Sequence, residues 1–502
     1  MEFLRLCEQE DPQRQEWPFV CDRRGSGAIR NFVKQYLIYN YDRIVATQYG
    51  DKAATKSKAG TGQASMLVAC APFDVVELDE HSAGFIGTVR IRTPEGVRYL
   101  DAGRVTILLL ADRLKERVHA FKVIYREQAN SGDVLDVLDA ATVGEPGRAH
   151  SKEEQQPVQP LVDLDSRFGW CGFNALLLDN ALVHLAEEVV DRTISLCGCA
   201  VNFGPVHTPA RRQLAERIFN ALERAGFKRL PMTTGAHPND PKRQDPEQTA
   251  RRCELDAAEI VKLVADLVAK FNAAKGKRNL AASAHERMKA IICGEERDFY
   301  LFPFLPPLRE GDADLSLCIQ RVRVRGNLKT GRRPYFTFLE ADYTSPELAE
   351  DWDAIGSELV IHIDRSNIRR IAAFKNGVSV GLCSAFGRWG LSDHSIDLRK
   401  HINKMIRAGY LENDHGGDVV AQFIKQLGEK VGSSKSLKGH VKKGVRQLAD
   451  HNARRESSTS QTNDLNVTNA VNDLLDRASS QPDEELDSWA DMSASNGDGY
   501  GP

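Results

Sequence analysis

Across 502 residues no apolar run approaches the roughly 18 that a membrane-spanning helix needs, so a helical membrane class is excluded. The ten cysteines form no C-x-x-C pair, and "CGC" at Cys197–Cys199 has neither zinc-knuckle spacing nor a second pair nearby. Structural zinc and dithiol redox chemistry are thereby disfavoured, and reduced thiols in a reducing compartment are expected. "MEFLRLCEQEDPQRQEW" is too polar for a secretory signal, which points to a cytoplasmic protein. No repeat of 20–50 residues is visible, which removes solenoids and propellers.

What is present is a soluble composition, 41% hydrophobic and 27% charged, in a chain long enough for two to four domains. The net charge of -3 averages two opposed segments. Lys425 to Arg455 holds nine Lys/Arg against Glu429 and Asp450, whereas Glu456 to Pro502 holds ten acids against Arg477. That last stretch, rich in Ser, Asn and Asp, is expected to be disordered.

Strand patterns occupy Phe73–Asp79, Phe85–Arg92 and Val105–Asp112, with a "TPEG" turn at Thr93–Gly96. Leu114–Tyr125 fits strand or helix. "NALLLD" reads as a buried strand ending at Asp179, and Ala181–Ile194 has helical spacing. In "HTPARRQLAERIFNALERAG" Thr208 can cap, Pro209 opens the helix and Gly226 closes it. Its stripe is Leu214, Ile218 and Leu222; Glu216 faces away from that stripe. Ile29–Tyr41 could be a helix, Asp256–Phe271 is a strongly amphipathic one, and a shorter one spans Ala284–Ile292. From Leu315 to Cys383 the period becomes two, with an Asn-Gly hairpin signal at "KNGV".

An unpartnered carboxylate at the end of "LLLD" costs several kcal/mol if buried, so Asp179 needs a partner. Asp79 ends a second strand pattern in "VVELDEH", and Glu216 lies 37 residues after Asp179 on a helix. Carboxylates converging from separate elements suit Mg²⁺, and two such ions can activate the attacking oxygen and stabilise the leaving oxygen of a phosphodiester displacement. Singly, each acid is more often a turn residue or a solvated helix face. Asp74 is the reserve first ligand, Asp112 ends a structural strand, and His81 and His207 flank the site as polar residues. Arg321, Arg323 and Arg325 share one strand face, a basic stripe suited to phosphates or a plain exposed sheet face.

"VVELDEH", "VTILLLADR", "LLLDNALVH" and "GPVHTPARRQLAERIFNAL" resemble the integrase catalytic core of DDE transposases. "RVRVRGNLKTGRRPYF" with "SELVIHIDRSNIRRIAAFKNGVSVG" resembles the small β-barrel that follows the core in Mu phage transposase and TnsB/TniA-type subunits. The resemblance covers about residues 70 to 395. It implies an α/β RNase H-like core, a helical linker and a small β-barrel, ahead of the disordered acidic tail. The expected boundaries are 1–67 (extension and linker), 68–240 (core), 241–312 (helical linker), 313–395 (β-barrel), 396–455 (basic helices) and 456–502 (tail).

The resemblance further implies Asp79, Asp179 and Glu216 as catalytic Mg²⁺ ligands, with Mn²⁺ tolerated. The expected DNA contacts are Arg211, Arg212, Arg321, Arg323, Arg325, Lys442 and Lys443. Double-stranded transposon ends and target, a synaptic homo-oligomer and an AAA+ ATPase engaged through the C-terminal tail are the implied partners, in bacterial cytoplasm at the nucleoid. Two other readings stand beside it: a non-catalytic DNA-binding assembly subunit, and a plain RNase H-like nuclease.

Overall fold

A computed structural model describes residues 25–51, 69–93, 96–126, 128–143, 170–178, 186–203, 213–235, 244–275, 282–293, 315–411, 417–432 and 439–453, with a few isolated positions. The chain divides into two units, residues 1–66 with 206–211, and residues 67–205 with 212–502. The expected acidic tail lies outside the described residues.

In the first unit α1 (Ser26–Tyr39) and α2 (Tyr41–Tyr49) meet at Asn40. The Asn40 side chain donates to the Tyr36 carbonyl at 3.0 Å, satisfying one of the last acceptors of α1. The single helix expected over Ile29–Tyr41 is therefore broken one residue short of its end.

The second unit begins with β1 (Val75–Thr93), β2 (Gly96–Asp112), β3 (Val118–Ile124), α3 (Ser131–Val143), β4 (Ala175–Leu177), α4 (Ala186–Cys197), β5 (Ala200–Asn202) and α5 (Gln213–Ala225). The strands form one mixed sheet in the order β3-β2-β1-β4-β5. The first three are antiparallel neighbours; β4 runs parallel to β1, and β5 parallel to β4. Of the ambiguous Leu114–Tyr125 segment, Val118–Ile124 is strand and Leu114–Lys115 lie in the turn before it.

Both faces of this sheet are covered, which is why "ILLLA" (Ile107–Ala111) is continuously apolar rather than alternating. Ile107 and Leu109 join one core with Leu214, Ile218 and Leu222 of α5, while Leu108 and Leu110 join a second with Leu135 and Leu138 of α3.

The strand pattern expected to stop at Asp79 does not stop. β1 continues through "EHSAG" to Thr93, with a register shift between Ser82 and Ile86. Phe85, Val89 and Ile91 keep burying apolar surface beyond the polar interruption, and that burial outweighs a local turn tendency.

Next come α6 (Pro246–Cys253), α7 (Ala257–Ala273) and α8 (Ala284–Cys293). Asp256 and Glu259 form a reciprocal capping box at the start of α7. Its Ile260, Leu263, Val264 and Leu267 pack into the core that α5 shares. Instead of spacing two domains as a linker, α7 is a layer of the sheet's own core. Gly226 allows this approach, since a Cβ there would lie 2.3 Å from Leu267 Cδ1.

A second sheet follows: β6 (Leu317–Arg323), β7 (Arg325–Asn327), β8 (Arg332–Phe338), β9 (Ala341–Thr344), then α9 (Pro346–Glu350), β10 (Glu358–Asp364), β11 (Arg370–Lys375) and β12 (Val378–Ala385). Its order is β6-β10-β11-β12-β9-β8-β7. The two edge strands are consecutive in the chain, with only Val324 between them. Laid flat, strands about 4.8 Å apart would put those edges roughly 29 Å from each other, so the sheet must curl into a half-barrel. The Asn-Gly signal holds: Asn376 and Gly377 take φ 51° and 82° in a two-residue turn between β11 and β12.

The basic segment forms α10 (Ile396–Arg407), α11 (Val419–Gly432) and α12 (Gly439–Asn452). It folds back on the first sheet: Asp450 accepts the Tyr125 amide at 2.6 Å, and Arg446 Nε donates to the Ala102 carbonyl at 3.1 Å. Among the described residues no helix is long and apolar enough to cross a membrane.

Candidate active site

Period-two alternation places Glu77, Asp79 and His81 on one face of β1, the face that α5 covers. Three contacts lock helix to strand. The Glu77 carboxylate accepts the Ala215 amide at 3.1 Å. His81 stacks on Phe219 with ring centroids 4.8 Å apart. Glu223 bonds both His81 Nε2, at 2.9 Å, and the Gly84 amide, at 2.7 Å.

Asp79 lies midway along this row, 8% exposed, and one of its oxygens accepts the Glu80 amide at 3.0 Å. It is a buried mid-strand acid and not the strand-end acid that the pattern suggested. Glu216 follows Ala215 in the first turn of α5 and is exposed, facing away from the buried stripe as its spacing requires. Its neighbour Arg217 turns the other way, to Glu116 at 2.7 Å.

Asp179 lies outside the described residues. Its strand is described as far as Leu178: β4 pairs Leu177 with Glu77, and the Leu178 amide bonds the Asn202 carbonyl at 3.0 Å. Asp79 and Glu216 are thus held on elements joined at Glu77–Ala215. Among the described residues no group of three or more His, Cys, Asp or Glu side chains is placed to hold a metal ion.

The donor chemistry at these positions is oxygen only, which suits a hard cation such as Mg²⁺. Three buried thiols of this unit offer no soft alternative. Burial pushes Cys171 and Cys199 up to about 12 and Cys197 up to about 11, so all three remain protonated.

The reserve ligand Asp74 and the strand-end Asp112 are otherwise engaged. Asp74 precedes β1 instead of lying within it, and it accepts the Cys70 and Ala71 amides and the Asn174 amide group at 2.7–2.8 Å. Asp112 ends β2 as a structural acid, accepting the Phe73 amide at 2.8 Å and the Lys115 amide at 2.7 Å.

Of the expected DNA contacts, Arg211 and Arg212 lie outside the described residues, as does His207. The three-arginine stripe is divided. Arg321 and Arg323 are exposed on β6, but Val324 turns its side chain into the core and Arg325 opens β7 at the opposite edge. Arg321 also pairs with Glu358 at 3.4 Å, and Arg323 donates to the Gly356 carbonyl at 3.0 Å. Lys442 and Lys443 sit on α12 beside a cleft of about 640 Å³ that α10 also lines.

Sequence reasoning missed Glu77, whose carboxylate joins the two acid-bearing elements. It also missed Lys400 and Lys404, four apart on α10 and facing the same cleft. Their spacing within "IDLRKHINKMIR" was the available signal. The chain matches no protein-family model and no curated protein.

Proposed function

We propose that this chain is a DDE-type transposase subunit, with an RNase H-like core carrying Asp79, Asp179 and Glu216. The observation that carries the reading is the Glu77–Ala215 hydrogen bond, which fixes the first turn of α5, and with it Glu216, beside the strand that bears Asp79. The mixed sheet supports it, since β4 leads towards Asp179 alongside that same strand.

These carboxylates would hold Mg²⁺, with Mn²⁺ tolerated. When bound, the ions supply activation of the attacking oxygen and stabilisation of the leaving one. The residues of the chain orient the phosphodiester. In the first step water attacks phosphorus and the bond to the 3′ oxygen breaks, leaving a 3′-hydroxyl and a 5′-phosphate. In the second, that hydroxyl attacks a target phosphodiester, and one bond forms as one breaks. A synaptic homo-oligomer on duplex DNA, with an AAA+ ATPase engaged through residues 456–502, completes the reading.

The test is strand transfer of a pre-cut end into plasmid, with Mg²⁺ or Mn²⁺ and cognate ends and partners. Joining is expected, and it is lost in Asp79→Asn, Asp179→Asn and Glu216→Gln while duplex binding persists. Binding and assembly without joining in the unaltered chain would leave the non-catalytic assembly subunit as the correct reading.

A further inference from the structure

The cleft between α10 and α12 is lined by six cations and a single acid, Asp397. Two of the charges on that floor are already compensated: Arg126 pairs with Asp397 at 2.5 Å, and it also holds Asp133 and Asp450. Lys400, Lys404, Lys442 and Lys443 have no carboxylate within ion-pair distance among the described residues. Four unpaired ammonium groups around one concavity repel one another, an arrangement that a bound polyanion relieves.

The floor points to a ligand independently. His401 is 8% exposed and Gln447 is 5% exposed; His401 Nε2 and Gln447 Oε1 are buried without a hydrogen-bond partner among the described residues. Such groups cost about 1–3 kcal/mol each when left unsatisfied. Burial, with Lys443, Lys404 and His440 nearby, pushes His401 down to about 4, so its ring is neutral near pH 7. A neutral imidazole and an amide can hydrogen-bond the oxygens of an anion or the water they order.

The cleft does not end at α12. A second one of about 420 Å³ shares Lys442 and Arg446 with it and continues past Arg104 to Ser82 and Ile86 on β1. Ser82 is three residues from Asp79, roughly 10 Å along a strand. Among the described residues neither cleft is lined by Trp, Tyr or Phe. Base stacking, the usual device for single strands and free nucleotides, has no platform here. Lysines are point charges that follow a phosphate backbone without reading bases.

We infer that these two clefts form one trough that binds the phosphate backbone of duplex nucleic acid without regard to sequence. The α10 lysines and α12 supply its basic wall. The inference stands on the trough alone and needs no metal, so it can hold or fail separately from the transposase reading.

The test is fluorescence anisotropy of the full chain with a labelled random-sequence duplex, in EDTA, across a salt series. Lys400→Gln with Lys404→Gln is compared with an equal charge change on other helices, Lys270→Gln with Lys289→Gln. The α10 pair is expected to lose about tenfold or more in affinity, and its log–log salt slope should fall by about 1.8, at roughly 0.9 per phosphate contact. The control pair keeps both values. Equal losses in the two pairs, or none in the α10 pair, overturn the trough. A single strand or ATP that binds as tightly as the duplex and suffers the same loss overturns the duplex assignment. If the α10 pair loses binding while the unaltered chain joins no ends, the trough is upheld and the transposase reading fails.

Discussion

The five-stranded sheet and the half-barrel treat charge in opposite ways. Around the first sheet Glu77, Asp79, Asp112, Lys122, Asp133 and Asp139 are all buried. The half-barrel strands bury one group that can gain charge near neutral pH, His362, and their arginines at 321, 323, 325, 332 and 333 are exposed. A buried ion costs several kcal/mol unless partners surround it, and the first sheet supplies them. Lys122 sits 2.8 Å from Asp133 and also meets Asp136. One sheet therefore positions charge, and the other displays it.

The most direct way to break this contrast is to neutralise a positioned acid. Asp79→Asn and Glu216→Gln should each abolish end cleavage and joining without changing duplex affinity; near-normal strand transfer by either variant would remove that residue from the site. Next in size is the buried pair. Lys122→Met leaves Asp133 and Asp136 with one cation fewer and should cost about 3–5 kcal/mol in urea unfolding, against within about 0.5 kcal/mol for Arg321→Gln. Similar losses in the two variants would erase the difference between the sheets.

A comparable effect, present only in acid, is set by His394, fully buried where the half-barrel meets α10 and bonded to Arg399 Nε at 2.8 Å. Burial, then the Arg399 charge, pushes it down to about 3. Below about pH 6.5 the unfolded chain takes up a proton that the folded one refuses, so stability falls from there towards pH 3. The slope from this one group reaches about 1.4 kcal/mol per pH unit. His394→Gln should make the acid limb of a stability–pH curve shallower; an unchanged limb would contradict the neutral assignment. Smallest is the displayed charge. Replacing Arg321, Arg323 and Arg325 with Ala should weaken duplex binding evenly across sequences and lower the salt slope, Arg321 adding least because Glu358 already offsets it. A loss confined to one sequence would mean base readout instead.

Much of this was legible from pattern. Val105–Asp112, the α7 stripe and the Asn376–Gly377 turn follow from period and turn chemistry, which are local. Glu216 was placed on the exposed side of α5 because helical spacing fixes angle. The misreadings share one cause, long-range packing. β1 continues past Asp79 because Phe85 and Val89 find a core far away in sequence, and Val324 breaks the arginine stripe because its side chain is drawn into the half-barrel. Glu77 carries no local signal, since its partner Ala215 lies 138 residues on. The pairing of α10 with α12 around the cleft has no signature in either helix alone.

The return of α12 to the first sheet also sets an order of events during synthesis. The Tyr125 amide finds its acceptor in Asp450, 325 residues later. At 5–20 residues per second a ribosome needs roughly 16–65 s to cover that interval. Throughout it the sheet stands without α12, and Arg126 gains its Asp397 partner before its Asp450 partner. The native hydrogen bonding of the sheet is therefore complete only after α12 has been synthesised. Among the described residues, α12 is the last helix in the chain and supplies these closing contacts to the first sheet.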